Sequence, residues 1–181
     1  MAIPEWLEDA ENGLTGLFRK LLNGMWHDLL LLDQRLKELD HEITALATDP
    51  VVQRPQQLRG VGPMIAALLA TVGDASQFAN GRQMAASLGL TPKQNSSGGK
   101  EKLLSISKRG DSYVRCLLVH GGRSMISASK GKEDRLSQWV TRIASTRHPN
   151  VAAVAMANKT ARIAWAMIRN GSDYQPELAA A

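Results

Sequence analysis

From Leu14 to Leu46 the apolar residues return every three or four positions, at Leu14, Phe18, Leu21, Met25, Leu29, Leu32, Leu36, Leu39, Ile43 and Leu46, with one stutter between Met25 and Leu29. That spacing puts them on a single stripe of a helix and defines a coiled-coil seam. Asp33, Arg35, Lys37, Glu38, Asp40 and Glu42 fill the other faces, so the stripe is the part left to bury. Its cover is either another helix of the same chain or a helix of another chain. Few later segments offer a seam of matching length, which favours self-association or docking onto another chain. Asp49-Pro50 is expected to end the helix, because the residue before a proline is pushed out of the α region.

The remainder of the 181 residues reads as helical too. The chain is 44% hydrophobic but only 4% aromatic, and its Val and Ile do not alternate with polar residues, which favours helices over sheets. The expected fold class is all-α: a long N-terminal coiled-coil segment over 1–54, a helical domain over 55–171 and a frayed tail over 172–181. Within the domain Ser76-Gln77-Phe78 is expected to lead into a helix through Met84, Ala85, Ala86 and Leu88 that ends at Gly89. Asp111 should cap a helix weakened at Gly121-Gly122, another should run from about Glu133 to Ser145, and Asn150 should cap a last one stopped by Gly171. The single Cys116, set in the apolar run Val114–Val119, is expected to be a buried thiol, and one cysteine excludes disulfide frameworks and Cys-based metal sites. Glu5, Glu8 and Asp9 stand where a signal peptide needs positive charge, and the longest apolar stretch, near Pro63 to Val72, is too short to span a bilayer. No membrane partner and a cytoplasmic location are expected.

The net charge of +5 is unevenly spread. Residues 1–48 hold four Lys and Arg against nine Asp and Glu, whereas residues 100–148 hold eleven against four. A basic block inside a folded domain suits binding to a phosphate backbone, where each neutralised phosphate releases condensed counterion. A solvated basic face would give the same count.

Two segments could carry that binding. Leu58-Arg59-Gly60-Val61-Gly62-Pro63 joins two helical patterns through two glycines and a proline placed for a first helical turn. It resembles the turn of helix-hairpin-helix DNA-binding modules, in which backbone N–H groups meet a phosphate at a helix N-terminus; a tight turn without a ligand would use the same glycines. Thr91 to Lys100 is a run of turn formers that no helix or strand is expected to keep, and a loop of that length between helices is either a linker or a site.

Six motifs in order then carry a family resemblance: Arg59-Gly60-Val61-Gly62-Pro63, Gly73-Asp74, Leu88-Gly89-Leu90-Thr91-Pro92, Ser96-Ser97-Gly98-Gly99-Lys100, Ile106-Ser107-Lys108-Arg109-Gly110-Asp111 and Asn158-Lys159-Thr160-Ala161-Arg162. Together, over about residues 55–170, they closely resemble the C-terminal domain of the insertion-sequence transposases described as bridge-RNA-guided recombinases. The resemblance implies that Ser97 is a nucleophile attacking a DNA phosphodiester to give a phosphoserine intermediate, with Ser96 a bystander. From the residues alone Ser97 is an ordinary loop serine, since a hydroxyl needs activation. Gly98 and Gly99 let backbone approach a phosphate, and Lys100, Lys102, Lys108 and Arg109 could stabilise the developing charge. Asn158, Lys159 and Arg162 share one helical face that could meet DNA or RNA backbone, or simply solvent.

Members of that family also carry an N-terminal resolvase-like domain whose Asp-Glu-Asp-Asp residues bind magnesium, and no segment here has that pattern. The expectation is therefore a chain with no metal ligands or cofactor of its own, Mg2+ being needed only with the acidic domain. Such a chain would bind nucleic acid without cleaving it. Its expected partners are DNA, a guide RNA and, through the coiled coil, a second copy or an intact transposase. A non-catalytic regulator that pairs with intact transposase is the competing reading, and a purely structural coiled-coil adaptor is a third.

Overall fold

The computed structural model describes residues 3–71, 74–95 and 103–177. The chain divides into two compact units, residues 1–45 and 46–181.

The first unit holds α1 (Ile3–Glu8) and α2 (Gly16–Leu46). Asn12 and Arg19 organise the turn between them. Arg19 donates to the carbonyls of Leu7 at 2.7 Å and Asp9 at 2.5 Å and to Asn12 Oδ1 at 2.7 Å. The Thr15 hydroxyl accepts from the Phe18 N–H at 3.3 Å, satisfying one of the free donors at the start of α2. At 31 residues α2 is about 46 Å long. It has no buried residue, and Phe18, Leu21, Met25, Leu29, Leu32, Leu36, Leu39 and Leu46 of the seam are all exposed. The long N-terminal helix is thus present. It ends at Leu46, short of the expected stop, because Asp49 and Pro50 begin the next helix: Asp49 Oδ1 accepts from the Val51 N–H at 2.7 Å and Pro50 takes the first turn, where no N–H is needed.

The second unit contains α3 (Pro50–Gln56), α4 (Pro63–Thr71), a 3-10 turn (Ala75–Gln77), α5 (Gly81–Ser87), the strands β1 (Pro92–Gln94) and β2 (Leu103–Ile106), α6 (Ser112–Ala128), α7 (Arg135–Thr146) and α8 (Pro149–Asn170). The molecule is all-α apart from this one antiparallel strand pair among the described residues. The Ala-rich α8 is the central post, burying Ala152, Ala153, Met156, Ala157, Ala161, Ala164 and Met167 against the other helices. One core cluster gathers Leu58, Leu69, Met84, Leu88, Leu90, Leu118 and Ala161, and a smaller one gathers Met125, Leu136, Val140 and Met156.

Several local expectations change. The helix expected after Phe78 stands as α5, and Asn80 caps it, its side chain accepting from the Gln83 N–H. Gly121-Gly122 does not weaken α6; a Cβ on Gly122 would collide with the Ala153 carbonyl of α8, so the glycine lets two helices close together. Asn150 does not cap α8. His148 does, its Nδ1 accepting from the Asn150 N–H at 3.2 Å, with Pro149 in the first turn. Asn150 instead accepts from Arg123 at 3.1 Å. Cys116 is exposed, on the face of α6 turned away from Val114 and Leu118. In the tail, Tyr174 N–H donates to Gln57 at 2.7 Å, Gln57 donates to Asp173 at 2.9 Å, and Arg135 donates to the Glu177 carbonyl at 3.3 Å, so residues 173–177 are tied to the body.

Candidate nucleic-acid interface

The turn between α3 and α4 is built by two glycines with different tasks. Gly60 has φ +80°, and its missing side chain faces the Gly121 carbonyl of α6, which a Cβ would strike; Gly121 is held in the same way against the Gly60 carbonyl. Gly60 is therefore required by packing. Gly62 has no positive φ, and a Cβ there would meet nothing within 4 Å. Its carbonyl accepts from the Ala66 N–H at the start of α4, and Gly62 and Pro63 are exposed, so the chain leaves an open glycine beside a helix N-terminus.

Arg59, the residue before Gly60, makes an internal bond. Its guanidinium donates to Asp134 Oδ2 at 2.6 Å and to the Ser137 hydroxyl at 2.9 Å. That hydroxyl donates to Asp134 at 2.7 Å, while Asp134 caps α7 by accepting from the Ser137 N–H at 3.0 Å. Partial burial alone would raise the Asp134 pKa, but the hydrogen bonds from Arg59 and Ser137 and the Arg59 charge outweigh it and hold the carboxyl at about 2. The hairpin turn is thereby fixed to the start of α7.

The run Thr91–Lys100, expected to keep no regular structure, opens with a strand. Pro92 pairs with Ile106 and Gln94 with Leu103, with a bulge between. Proline is tolerated because it heads the strand. At the foot of the hairpin the Ser107 N–H donates to the Thr91 carbonyl at 2.8 Å and the Lys108 N–H to the Gly89 carbonyl at 3.2 Å. Gly89 (φ +71°) packs on the Arg109 backbone and Gly110 (φ +78°) on the Ser87 carbonyl, each with no room for a Cβ. Arg115 of α6 buttresses the crossing by donating to the carbonyls of Leu88 at 3.1 Å and Arg109 at 3.0 Å. Lys108 is held in the left-handed region at φ 55°, unusual for a residue with a side chain. Lys108 and Arg109 themselves point to solvent. Ser97, Gly98, Gly99, Lys100 and Lys102 lie outside the described residues, within the segment that β1 and β2 flank in the chain.

Asn158, Lys159 and Arg162 do fall on one face of α8, but they are differently placed. Asn158 donates to the Leu90 carbonyl at 3.3 Å. Lys159 is 9% exposed, its ammonium seated 4.6 Å from the centre of the Trp139 ring. Burial, and then the nearby Arg162 charge, push its pKa below the usual lysine value. Among the described residues neither Lys159 nor Arg162 has a carboxylate within ion-pair distance, and the one such pair is Arg59–Asp134. Both cations line two recesses. One, of about 720 Å³, lies between the hairpin and α8; the other, of about 730 Å³, lies on the Asn80 and Tyr174 side.

Sequence reasoning missed the Arg59–Asp134–Ser137 network and the Trp139 seat. Asp134 three residues before Ser137 is the local spacing of a helix cap and was the available signal. Nothing local links Trp139 to Lys159 across the α7–α8 turn. Among the described residues no cluster of three His, Cys, Asp or Glu side chains could hold a metal ion, and no helix is long and apolar enough to cross a membrane.

Residues 53–137 match the family model described as "Transposase IS116/IS110/IS902 family". The chain is 43% identical over 159 residues to a "Probable family 20 transposase" of Pseudomonas aeruginosa, an alignment covering 87% of this chain and 47% of that protein. It is 39% identical over 175 residues to the "Transposase for insertion sequence element IS1111A" of Coxiella burnetii, covering 96% and 48%. A third relative, the "Transposase for insertion sequence element IS1328" of Yersinia enterocolitica, is 38% identical over 166 residues, covering 91% and 50%. The chain thus spans about half the length of the curated relatives it matches.

Proposed function

We propose, from the match of residues 53–137 to the IS116/IS110/IS902 transposase family model, that the chain acts in DNA transposition, as the nucleic-acid-binding and serine-nucleophile part of the recombination machinery. The observation that carries this reading is the β1–β2 hairpin. Two glycine-to-backbone crossings and Arg115 seat it firmly, it holds Lys108 in a strained backbone state, and it flanks the segment containing Ser97. A pinned hairpin that flanks the candidate nucleophile in the sequence, with Lys108 and Arg109 exposed at its foot, suits attack on phosphorus, where positioning and charge stabilisation do most of the chemistry.

In this reading Ser97 Oγ forms a bond to phosphorus and gives up its proton, while the bridging P–O bond breaks and its oxygen leaves as a hydroxyl, conserving the phosphoester for religation. Gly98, Gly99, Lys100, Lys102, Lys108 and Arg109 hold the reacting phosphate. Gly62 and the first turn of α4, with Asn158, Lys159 and Arg162, hold the flanking backbone. Magnesium, following the family resemblance, would be held by the acidic resolvase-like domain of an intact transposase. Following the family resemblance, the site sequence would be chosen by a guide RNA rather than by side chains. The exposed seam of α2 favours pairing with a second copy, or with an intact transposase whose exchange such pairing would regulate.

The test is covalent capture. The chain is mixed with an intact relative, magnesium and labelled DNA bearing the element's end, and the products are run on a denaturing gel. A DNA adduct of this chain is expected, kept by Ser96→Ala and abolished by Ser97→Ala. An adduct that survives Ser97→Ala overturns the nucleophile. Failure to retain duplex DNA even at low salt overturns the reading as a whole.

A further inference from the structure

The recess between the hairpin and α8 has two unlike ends. Pro92, Leu104 and Ile106 of the hairpin and Val151, Val154 and Ala155 of α8 make an apolar wall. Beyond them Asn158, Lys159 and Arg162 close the recess with an amide and two cations. Asn158 spends its Nδ2 on Leu90 and keeps an oxygen with no donor among the described residues. Lys159 is almost buried, yet it has no carboxylate partner there and only an indole face for company.

Building on the reading that the chain binds nucleic acid, we infer that this recess is the seat of a single unpaired nucleotide, its base against the apolar wall and its phosphate on Lys159 and Arg162. The backbone of an intact duplex asks only for surface charge, and a recess of about 720 Å³ floored by proline, leucine and isoleucine offers it nothing. A base turned out of its stack needs an apolar slot of about this size, with a polar group at its edge and a cation at its phosphate. An apolar side chain from a protein partner would fill the slot but leave the nearly buried Lys159 and the half-buried Arg162 uncompensated, which is unfavourable. The two strands that line the slot are those flanking the Ser97 segment, so a nucleotide held here would fix the strand close in sequence terms to the proposed nucleophile.

The experiment measures binding of the full chain, by fluorescence anisotropy, to labelled single-stranded 12-mers as DNA and as RNA, to the same backbones with every base removed, and to a duplex. Val151→Trp blocks the mouth from a position that is 53% exposed and so does not threaten folding. Ala155→Leu fills the slot and serves as the second variant, with melting temperature as the control for both. The wild-type chain should favour a base-bearing strand over the abasic backbone by about tenfold. Both variants should lose that preference while duplex binding is unchanged. The strand type with the larger base-dependent gain, deoxy or ribo, identifies the source of the nucleotide. Preference retained in both variants, or absent from the wild type, overturns the inference and leaves the function reading standing. Unaltered strand binding with an altered oligomeric mass assigns the slot to a segment of a second copy and also overturns it. No binding to any oligonucleotide, duplex included, overturns both.

Discussion

Gly60 and Gly62 are separated by one valine and should answer mutation in different currencies. Gly60→Ala must place a methyl group on the Gly121 carbonyl from a left-handed backbone, which should cost about 2 kcal/mol or more in urea unfolding. Gly62→Ala meets no atom and should leave the unfolding midpoint in place while weakening duplex binding several-fold, if a phosphate approaches the first turn of α4. Equal effects on stability would mean that both glycines serve packing alone. Asp134 carries a second expectation. Its folded pKa of about 2 lies below the ordinary 3.8, so the stabilisation is complete above about pH 4 and drains away as pH falls through about 2. With the Arg59 partner 36% exposed, it amounts to roughly 1–2 kcal/mol. Asp134→Ala, which also removes a helix cap, should lower stability at pH 7 by about 2 kcal/mol and flatten the acid limb of the unfolding profile. The sequence makes the cap readable but not the ion pair, because Arg59 reaches Asp134 from a turn 75 residues away. The exposure of Cys116 has a related cause: an apolar run on a helix still has an outer face, and position 116 falls on it.

Among the elements, α2 was the most legible and the least explained. Heptad phase tells which residues share a stripe, and the helix runs where that phase places it, but phase carries no information on what covers the stripe. Leu32 and Leu39 are 61% and 48% exposed. If a second copy covers them, Leu32→Asp with Leu39→Asp should halve the mass seen in light scattering without changing the melting of the 46–181 unit. An unchanged mass would assign the seam to another partner or to none. The β1–β2 hairpin was the least legible. Strands of three and four residues are too short for alternation to register, and the contacts that seat them join residues far along the chain. Gly110 shows the difficulty: it reads as a loop glycine, yet its Cα rests on the Ser87 carbonyl. Gly110→Ala should lower the melting temperature and speed amide exchange at Ser107 and Lys108, whose N–H groups bond Thr91 and Gly89; exchange as slow as in the parent would show that the hairpin does not depend on this crossing.

At the scale of the whole molecule, the charge count located the basic region, but packing decided how its cations are used. Of the three residues read as one face, Asn158 is turned partly inward to Leu90 and Lys159 is nearly enclosed, while Arg162 stays half-buried at the recesses. Side-chain periodicity could place them together; only the tertiary position of Trp139 could separate them. If the basic residues at the foot of the hairpin contact duplex phosphates, the logarithm of duplex affinity should fall linearly with the logarithm of salt. Lys108→Met and Arg109→Met should each reduce the slope by about 1. A slope indifferent to both would move the contacts elsewhere. The chain also carries its own reporter for such work. Its one thiol, Cys116, stands exposed on α6, so a maleimide dye can be attached at a single defined point without engineering. Two copies labelled with donor and acceptor would then act as a molecular ruler, reading the separation of the α6 helices as an assembly forms on nucleic acid.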